Sequence, residues 1–206
     1  HNLSADTADD TNPLAALPMR HIGPALMSGR ISDCAFYPGG NQAFIAGISS
    51  GNIFRTFNGG TTWEPIFENE DSYAIGVVEL DPNDKNTIWV GTGENNAQRS
   101  VAAGSGVYKS ADGGKSWNNV GLEESGHISQ IWINPSDSDE VIVASQGPLW
   151  SDGGDRGLFR TSDGGDNWEL ILKIDEYTGV NEFVVDSRDP DVIVASTYCL
   201  LYTSDA

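Results

Sequence analysis

The sequence predicts an all-β chain of repeated four-stranded antiparallel sheets, and three observations carry that prediction. One short string recurs three times, as "RTFNGGTTWEP" from Arg55, "KSADGGKSWNN" from Lys109 and "RTSDGGDNWEL" from Arg160. Its tryptophans, Trp63, Trp117 and Trp168, lie 54 and 51 residues apart, which sets a repeat of about 50 residues. The composition agrees with this: 24 glycines and 6 tryptophans in 206 residues describe a turn-rich β protein rather than a helical bundle.

The similarity extends upstream of each string. "ISDCAFYPGGNQAFIAGIS" from Ile31, "IGVVELDPNDKNTIWVGTG" from Ile75, "ISQIWINPSDSDEVIVASQ" from Ile128 and "VNEFVVDSRDPDVIVASTY" from Val180 share one layout. Each is an alternating apolar strand, a Pro- or Asp-rich turn, and a second apolar strand. A short third strand follows as "NIFRT", "GVYKS" or "GLFRT", then the Gly-Gly turn and a fourth strand led by the tryptophan. Four short antiparallel strands per repeat make the blade of a β-propeller. The count gives three whole blades, Arg30–Phe67, Ile75–Gly121 and Ile128–Leu172. A fourth opens at Val180 and stops at "YTSDA", with a shortened connection after its second strand. Residues 1–17 are read as a polar N-terminal segment and 18–206 as the partial propeller.

The repeated string is read as structural. Asn58, Gly59 and Gly60, Asp112, Gly113 and Gly114, and Asp163, Gly164 and Gly165 occupy the turns. Glycine pairs supply the positive-φ positions of a tight hairpin, and the preceding Asn or Asp accepts backbone N–H groups within it. A Ser or Thr two residues earlier closes a further local bond. The tryptophan folds against its blade, where burying roughly 200 Å² of indole contributes ~5 kcal/mol gross, before entropy. "WSDGGDRG" at Trp150 has the glycines without the tryptophan and is read as a loop.

The pattern Ser/Thr-x-Asp-Gly-Gly-x-x-Trp resembles the Asp-box, or BNR, repeat of sialidases, xyloglucan-active hydrolases, sortilin-like receptors and photosystem assembly factors. Further strings are similar to secreted bacterial BNR-repeat, sortilin-N-terminal-like propellers. They are "MRHIGPALMSGRISD" at Met19, "VGTGENNAQRS" at Val90, "GSGVYKSADGGKSW" at Gly104 and "DRGLFRTSDGGDNW" at Asp155. The resemblance spans about residues 18–198 and implies a propeller exported to the periplasm, the cell surface or the medium. Propellers close with 4 to 8 blades, so the expectation is a fragment of a larger ring; the alternative is that further chains complete it.

Charge narrows the partners. Thirty acidic against 11 basic residues give a net charge of −19, which argues against nucleic acid and against an anionic membrane surface. No apolar run approaches the ~20 residues of a membrane-spanning helix. The opening "HNLSADTADDTNP" has no initiator Met and no apolar h-region, as expected of a mature or trimmed chain. Only Cys34 and Cys199 are present, so no disulfide framework supports the fold, and their pairing is left open. "SDSDE" lacks the glycine and later glutamate of a calcium loop and reads as a turn, and no metal or cofactor site is assigned.

Alternating strand direction places the Gly-Gly turns on one face of the propeller and the longer loops on the other. Those longer loops are Gly23–Arg30, Glu68–Tyr73, Gly93–Ser105, Glu123–His127, Gly147–Arg156 and Asp175–Gly179. The densest polar set in them is Glu94, Asn95, Asn96, Arg99 and Ser100, with Arg30, Glu70, Asp71, Tyr73, His127, Trp150, Asp152, Asp155 and Arg156 as neighbours. Arg99 and Arg156 are two of only seven arginines; the plain reading is that they pair with Glu94 and Asp155 to order the loops. Trp150 stacks on a sugar ring or packs under its own loop, and His127 is expected to be structural.

Two functions remain open. The first is a module that binds a protein or glycan, since no nucleophile–base signature appears. The second is a glycoside hydrolase with Glu94 and either Asp71 or Asp155 as its carboxylate pair, which requires a separation of ~5 Å for retention or ~6.5–9.5 Å for inversion. A sialidase would carry Arg-Ile-Pro ahead of the first blade, where this chain has "GRIS".

Overall fold

The computed structural model describes residues 29–96 and 101–199. The N-terminal segment, most of the Gly23–Arg30 loop, Arg99, Ser100 and the "YTSDA" string lie outside the described residues. Among the described residues, fourteen strands and one 3-10 turn, Glu123–Ser125, follow one another. The first sheet is β1 (Ile31–Phe36), β2 (Phe44–Ile48), β3 (Asn52–Thr56) and β4 (Glu64–Pro65). The second is β5 (Ile75–Leu80), β6 (Ile88–Thr92), β7 (Val107–Ser110) and β8 (Asn118–Asn119). The third is β9 (Ile128–Asn134), β10 (Asp137–Ser145), β11 (Gly157–Thr161) and β12 (Glu169–Leu172), and β13 (Gly179–Asp186) pairs with β14 (Asp189–Tyr198).

Each sheet is antiparallel with its strands in sequence order. The leading strands lie against one another from sheet to sheet, β1 on β5, β5 on β9 and β9 on β13. This is the blade arrangement of a β-propeller: three complete blades and the first two strands of a fourth. Apolar side chains fill the spaces between blades. Ile45, Ile75 and Val78 lie between the first and second, Trp89, Ile128 and Val143 between the second and third, and Ile142, Leu158 and Phe183 between the third and fourth.

The Gly-Gly turns follow one bonding scheme. Thr56, Ser110 and Thr161 hydroxyls accept the N–H of Gly60, Gly114 and Gly165 at 2.9, 2.8 and 3.0 Å. The same hydroxyls donate to the side-chain oxygens of Asn58, Asp112 and Asp163. Those oxygens in turn accept the N–H of Thr62, Ser116 and Asn167. Side-chain bonds from Ser116 and Asn167 hold the Asp112 and Asp163 carboxyls well below the usual carboxylate range, Asp163 at about 2. Both glycines of each turn have positive φ, between 66° and 102°, where a Cβ would be strained.

The second and third turns are also tied to the preceding blade. Trp117 Nε1 donates to the Ile66 carbonyl and Trp168 Nε1 to the Val120 carbonyl, both at 2.6 Å. Arg55 Nη1 donates to the Gly113 carbonyl at 2.5 Å and Lys109 Nζ to the Gly164 carbonyl at 3.0 Å. Trp63, in the first blade, is 45% exposed and meets Phe44 edge-on instead.

A bulge recurs near the start of every leading strand, at the second residue of β1, β5 and β9 and the third of β13. The register skips one residue at Ser32, Gly76, Ser129 and Asn181. At Gly76 a Cβ would stand 2.1 Å from the Ile128 carbonyl oxygen, so glycine is the residue that lets β5 and β9 approach there.

In the fourth blade the string it shares with β10 is displaced by one residue against the strand pairing. Phe36 pairs with Phe44, Leu80 with Ile88 and Ile133 with Val141, each across the same length of connection. Val185 pairs with Ile193 across that same length, so the pairing interval is kept, while the "VIVAS" string that starts at the paired Val141 in β10 starts one residue before the paired position, at Val192, in β14. A one-residue slip inverts a strand's faces, so Ile193 and Ala195 pack toward the third blade while Val192 and Val194 are 47% and 72% exposed. Cys34 is half-buried, Cys199 is exposed, and both are free thiols.

Candidate ligand-binding face

The face opposite the Gly-Gly turns is built from the connections after the second and fourth strands, and backbone bonds tie these together. Asn52 N–H donates to the Tyr73 carbonyl, Gly93 to Ala74, Gln146 to His127, Gly104 to Gly126 and Gly153 to Glu176, all at 2.7–2.9 Å. The loops are therefore tied to their neighbours at these points. Gly93 is needed where it stands: its φ is 91°, and a Cβ would meet the Gly126 carbonyl oxygen at 2.0 Å.

Glu94 leaves the end of β6 and is 2% exposed. Its carboxylate is ion-paired with the Arg30 guanidinium from the first blade, and its other oxygen lies 3.5 Å from the Ser50 hydroxyl. The Glu94 backbone carbonyl meets His127 Nδ1 at 3.0 Å. A carbonyl only accepts, so Nδ1 carries the imidazole proton and Nε2 is an acceptor. Burial, with the nearby Arg156 charge, pushes the His127 pKa down to about 4, and the ring is neutral at pH 7.

Arg156 does not pair with Asp155, contrary to the simple expectation. Its guanidinium is 1% exposed and donates to five backbone carbonyls, those of Gly153, Gln146, Tyr177, Pro148 and Ser151. All five N–H donors have acceptors, so this side chain organises the Gly147–Arg156 loop and the Asp175–Gly179 link, and desolvation lowers its pKa. Asp155 instead accepts the Glu124 N–H at 3.0 Å, and its carbonyl takes the Ser145 hydroxyl. "WSDGGDRG" is part of this loop, between β10 and β11.

A row of amides crosses the face. Gln146, 3% exposed, donates through Nε2 to the Asn95 and Asn181 side-chain oxygens, both at 2.5 Å, and so links the second, third and fourth blades. Gln146 and Asn181 were absent from the sequence-based candidates. The signal for Gln146 was present: it ends "VIVASQ" where the earlier repeats have Ser49 and Gly93, a long polar side chain at a place that is otherwise small. Asn96 is half-buried beside this row, whereas Asp71 and Tyr73 are exposed. Burial and the Asp71 charge raise the pKa of the neighbouring Glu70.

A cleft of about 510 Å³ opens between the loops of the second and third blades. His127, Pro148, Leu149 and Trp150 line it, with Val101 and Ala103 from the facing loop and Glu123, Glu124 and Asp152 also at its wall. Trp150 is 61% exposed. A larger groove, about 640 Å³, runs beside Lys109 and Gly164 among the inter-blade contacts of the turn side. No group of three or more His, Cys, Asp or Glu able to hold a metal occurs among the described residues, and no helix there is long and apolar enough to cross a membrane.

Known structures share this fold. An ancestral GH74 enzyme superposes with a TM-score of 0.64 at 19% identity, over 81% of this chain and 22% of that one. A GH74 xyloglucanase from Xanthomonas campestris gives 0.58 at 15% identity, over 82% and 27%. YCF48 bound to D1 peptide gives 0.51 at 18% identity, over 77% and 45%. The chain is a β-propeller segment. It spans about a quarter of the length of the GH74 structures it matches. No family model and no curated protein matches the sequence.

Proposed function

We propose that this chain is part of an exported Asp-box propeller, of the BNR or sortilin-like kind, that binds a protein or glycan on the face opposite its Gly-Gly turns and performs no chemistry on it. The way Glu94 is held carries this reading. A glycosidase acid or nucleophile needs a carboxylate free to exchange a proton or attack. Glu94 is buried and committed to Arg30 and Ser50, and Asp155 caps the Glu124 N–H. Asp71, the remaining candidate, is exposed on a separate link. Glu94 and Asp155 support loops, and the loops surround an open cleft with an exposed tryptophan.

The matched solved structures include both enzymes that carry a GH74 name and a propeller bound to a peptide, which is compatible with binding as the property the scaffold supports. The export assignment rests on the resemblance to secreted bacterial propellers. The test is a panel of neutral glycosides incubated with the chain and with its Glu94→Gln variant. No turnover by either is expected; turnover by the first that the second abolishes overturns the proposal in favour of a hydrolase.

A further inference from the structure

We infer that a second copy of this chain joins it head to tail, the free side of the fourth sheet of one copy covering the free side of the first blade of the other. Every blade has a front side toward the preceding blade and a rear side toward the next, and the repeat gives equivalent positions on each. Ile31, Phe36, Phe44 and Trp63 hold front positions in the first blade. The strand equivalents, Ile75, Leu80 and Ile88 in the second blade and Ile128, Ile133 and Val141 in the third, are buried between blades. Ile31 and Phe36 are instead 65% and 55% exposed. Phe44 joins Phe36 and Trp63 into one aromatic cluster, with ring centroids 5.2 and 5.3 Å away.

The fourth sheet shows the converse. Val184 pairs with Val194 at the rear position that Ala35 with Ile45, Glu79 with Trp89 and Trp132 with Ile142 hold in the other blades. Ile45, Trp89 and Ile142 are fully buried, whereas Val184 and Val194 are 66% and 72% exposed. Exposed apolar patches mark interaction surfaces, and these two are the halves of an interface that the chain already makes three times. That continuity identifies the occupant. The front of the first blade fits the rear of a blade, and the chain itself presents a free one.

Polar groups at both ends agree. Trp117 and Trp168 donate to the preceding blade, and the Gly113 and Gly164 carbonyls accept its cation. The corresponding Trp63 Nε1 and Gly59 carbonyl have no such partner among the described residues. On the rear sides, Asp33 and Gln130 accept the Val78 and Phe183 N–H of the next blade at 3.1 and 2.8 Å. Glu182 holds that position in the fourth sheet and is exposed. Each copy presents both halves, so two copies satisfy both contacts in one closed pair. Such a pair brings together eight sheets, within the range over which propellers close. The charge of −19 on each copy opposes this association, and salt relieves it.

The experiment is sedimentation velocity of the chain from about 1 μM to 1 mM. The mass should rise from 22.0 kDa to twice that value, and at lower concentration when salt is raised from about 0.05 to 0.5 M. Phe36→Asp on the front and Val194→Asp on the rear should each weaken the pair roughly tenfold or more. An equimolar mixture of the two keeps one intact contact and should form a one-to-one pair that neither variant forms alone; its recovery also shows that both fold. Ile31→Asp and Val184→Asp repeat the test at neighbouring positions on the same sides. A parent that stays at 22.0 kDa throughout overturns the inference. So does a pair that the rear variants leave intact, which is a front-to-front contact, or variants of parental thermal midpoint that fail to recover on mixing. Growth beyond two copies overturns the closed pair.

Discussion

Lys109 Nζ donates to the Gly164 carbonyl across 3.0 Å and at the same time stands 4.8 Å from the centre of the Trp89 ring. One lysine thus joins the third strand of the second blade to the Gly-Gly turn of the third. Arg55 makes the equivalent bond to Gly113 one blade earlier. In the first two blades the cation three residues ahead of the Asn or Asp is therefore a connector that faces forward, while Trp117 and Trp168 reach back to the preceding blade. This gives the recurring "RT" and "KS" a physical purpose that the turn alone does not.

Removing that connector should cost stability without touching the ligand face. Lys109→Met retains the aliphatic stem and loses the charged bond and the cation–π contact, a loss of about 1–2 kcal/mol. For a chain of this size that lowers the melting temperature by roughly 2–8 °C. Lys109→Arg should recover most of it. An unchanged melting temperature in Lys109→Met would mean that the contact has no net value in solution.

The tryptophans should divide by position. Trp117→Phe leaves the Ile66 carbonyl without its 2.6 Å donor and opens part of the inter-blade core, at a cost of about 2–3 kcal/mol. Trp63→Phe changes a ring that is 45% exposed and should cost under about 1 kcal/mol. Chemical denaturation of both variants checks this. Equal losses would show that the local turn scheme, rather than the contact with the preceding blade, sets the value of the tryptophan.

How much of this was legible in the sequence depends on how local the cause is. The turn scheme was readable because Thr56, Asn58 and Gly60 sit within five residues of one another, and the same spacing returns at Ser110 and Thr161. The blade order was readable from the period of the tryptophans. The Arg30–Glu94 pair was not, because its partners come from different blades and neither lies in a recurring string. Arg156 was misjudged for a different reason: its acceptors are backbone carbonyls, which every residue has, so no partner residue type betrays them. The bulges at Ser32, Gly76, Ser129 and Asn181 share a position in the repeat, but Ser, Gly and Asn there give no common residue type to read. The face that β14 buries was not legible either: its pairing keeps the interval of the other blades while "VIVAS" starts one residue earlier than in β10, and the string reads identically on either face.

Two titrating groups, buried His127 and half-buried Glu79, should give the fold opposing pH dependences. His127 is held at about 4 against an ordinary 6.5, so the unfolded chain takes up the proton first and stability falls as pH drops from 6.5 toward 4. Glu79 is pushed up to about 7, first by burial and then by the Asp33 charge, from an ordinary 4.5. Its protonated form is favoured in the folded state, so stability falls as pH rises from 4.5 toward 7. Each effect has a ceiling of about 3 kcal/mol. Between pH 4.5 and 6.5 they offset one another. Denaturation across that range should show a rising profile with pH in Glu79→Gln and a falling one in His127→Asn. Two profiles that both match the parent would exclude these groups as its determinants.

The Arg30–Glu94 pair should respond asymmetrically to losing either member. Arg30→Ala leaves a carboxylate that is 2% exposed without its counter-charge, and an uncompensated buried charge is far more costly than an absent one. Because the Arg30 side chain is 47% exposed, solvent screens part of the interaction, and a loss of about 1–3 kcal/mol is expected. Glu94→Gln removes the charge, retains the shape and keeps a carbonyl oxygen for the guanidinium, and should cost less than Arg30→Ala. The double variant should then be no less stable than Arg30→Ala alone, since the second substitution removes the charge that the first strands. If the two losses add instead, the residues act independently, and the fixed state of Glu94 that argues against catalysis at this face must come from the Ser50 contact and burial rather than from the ion pair.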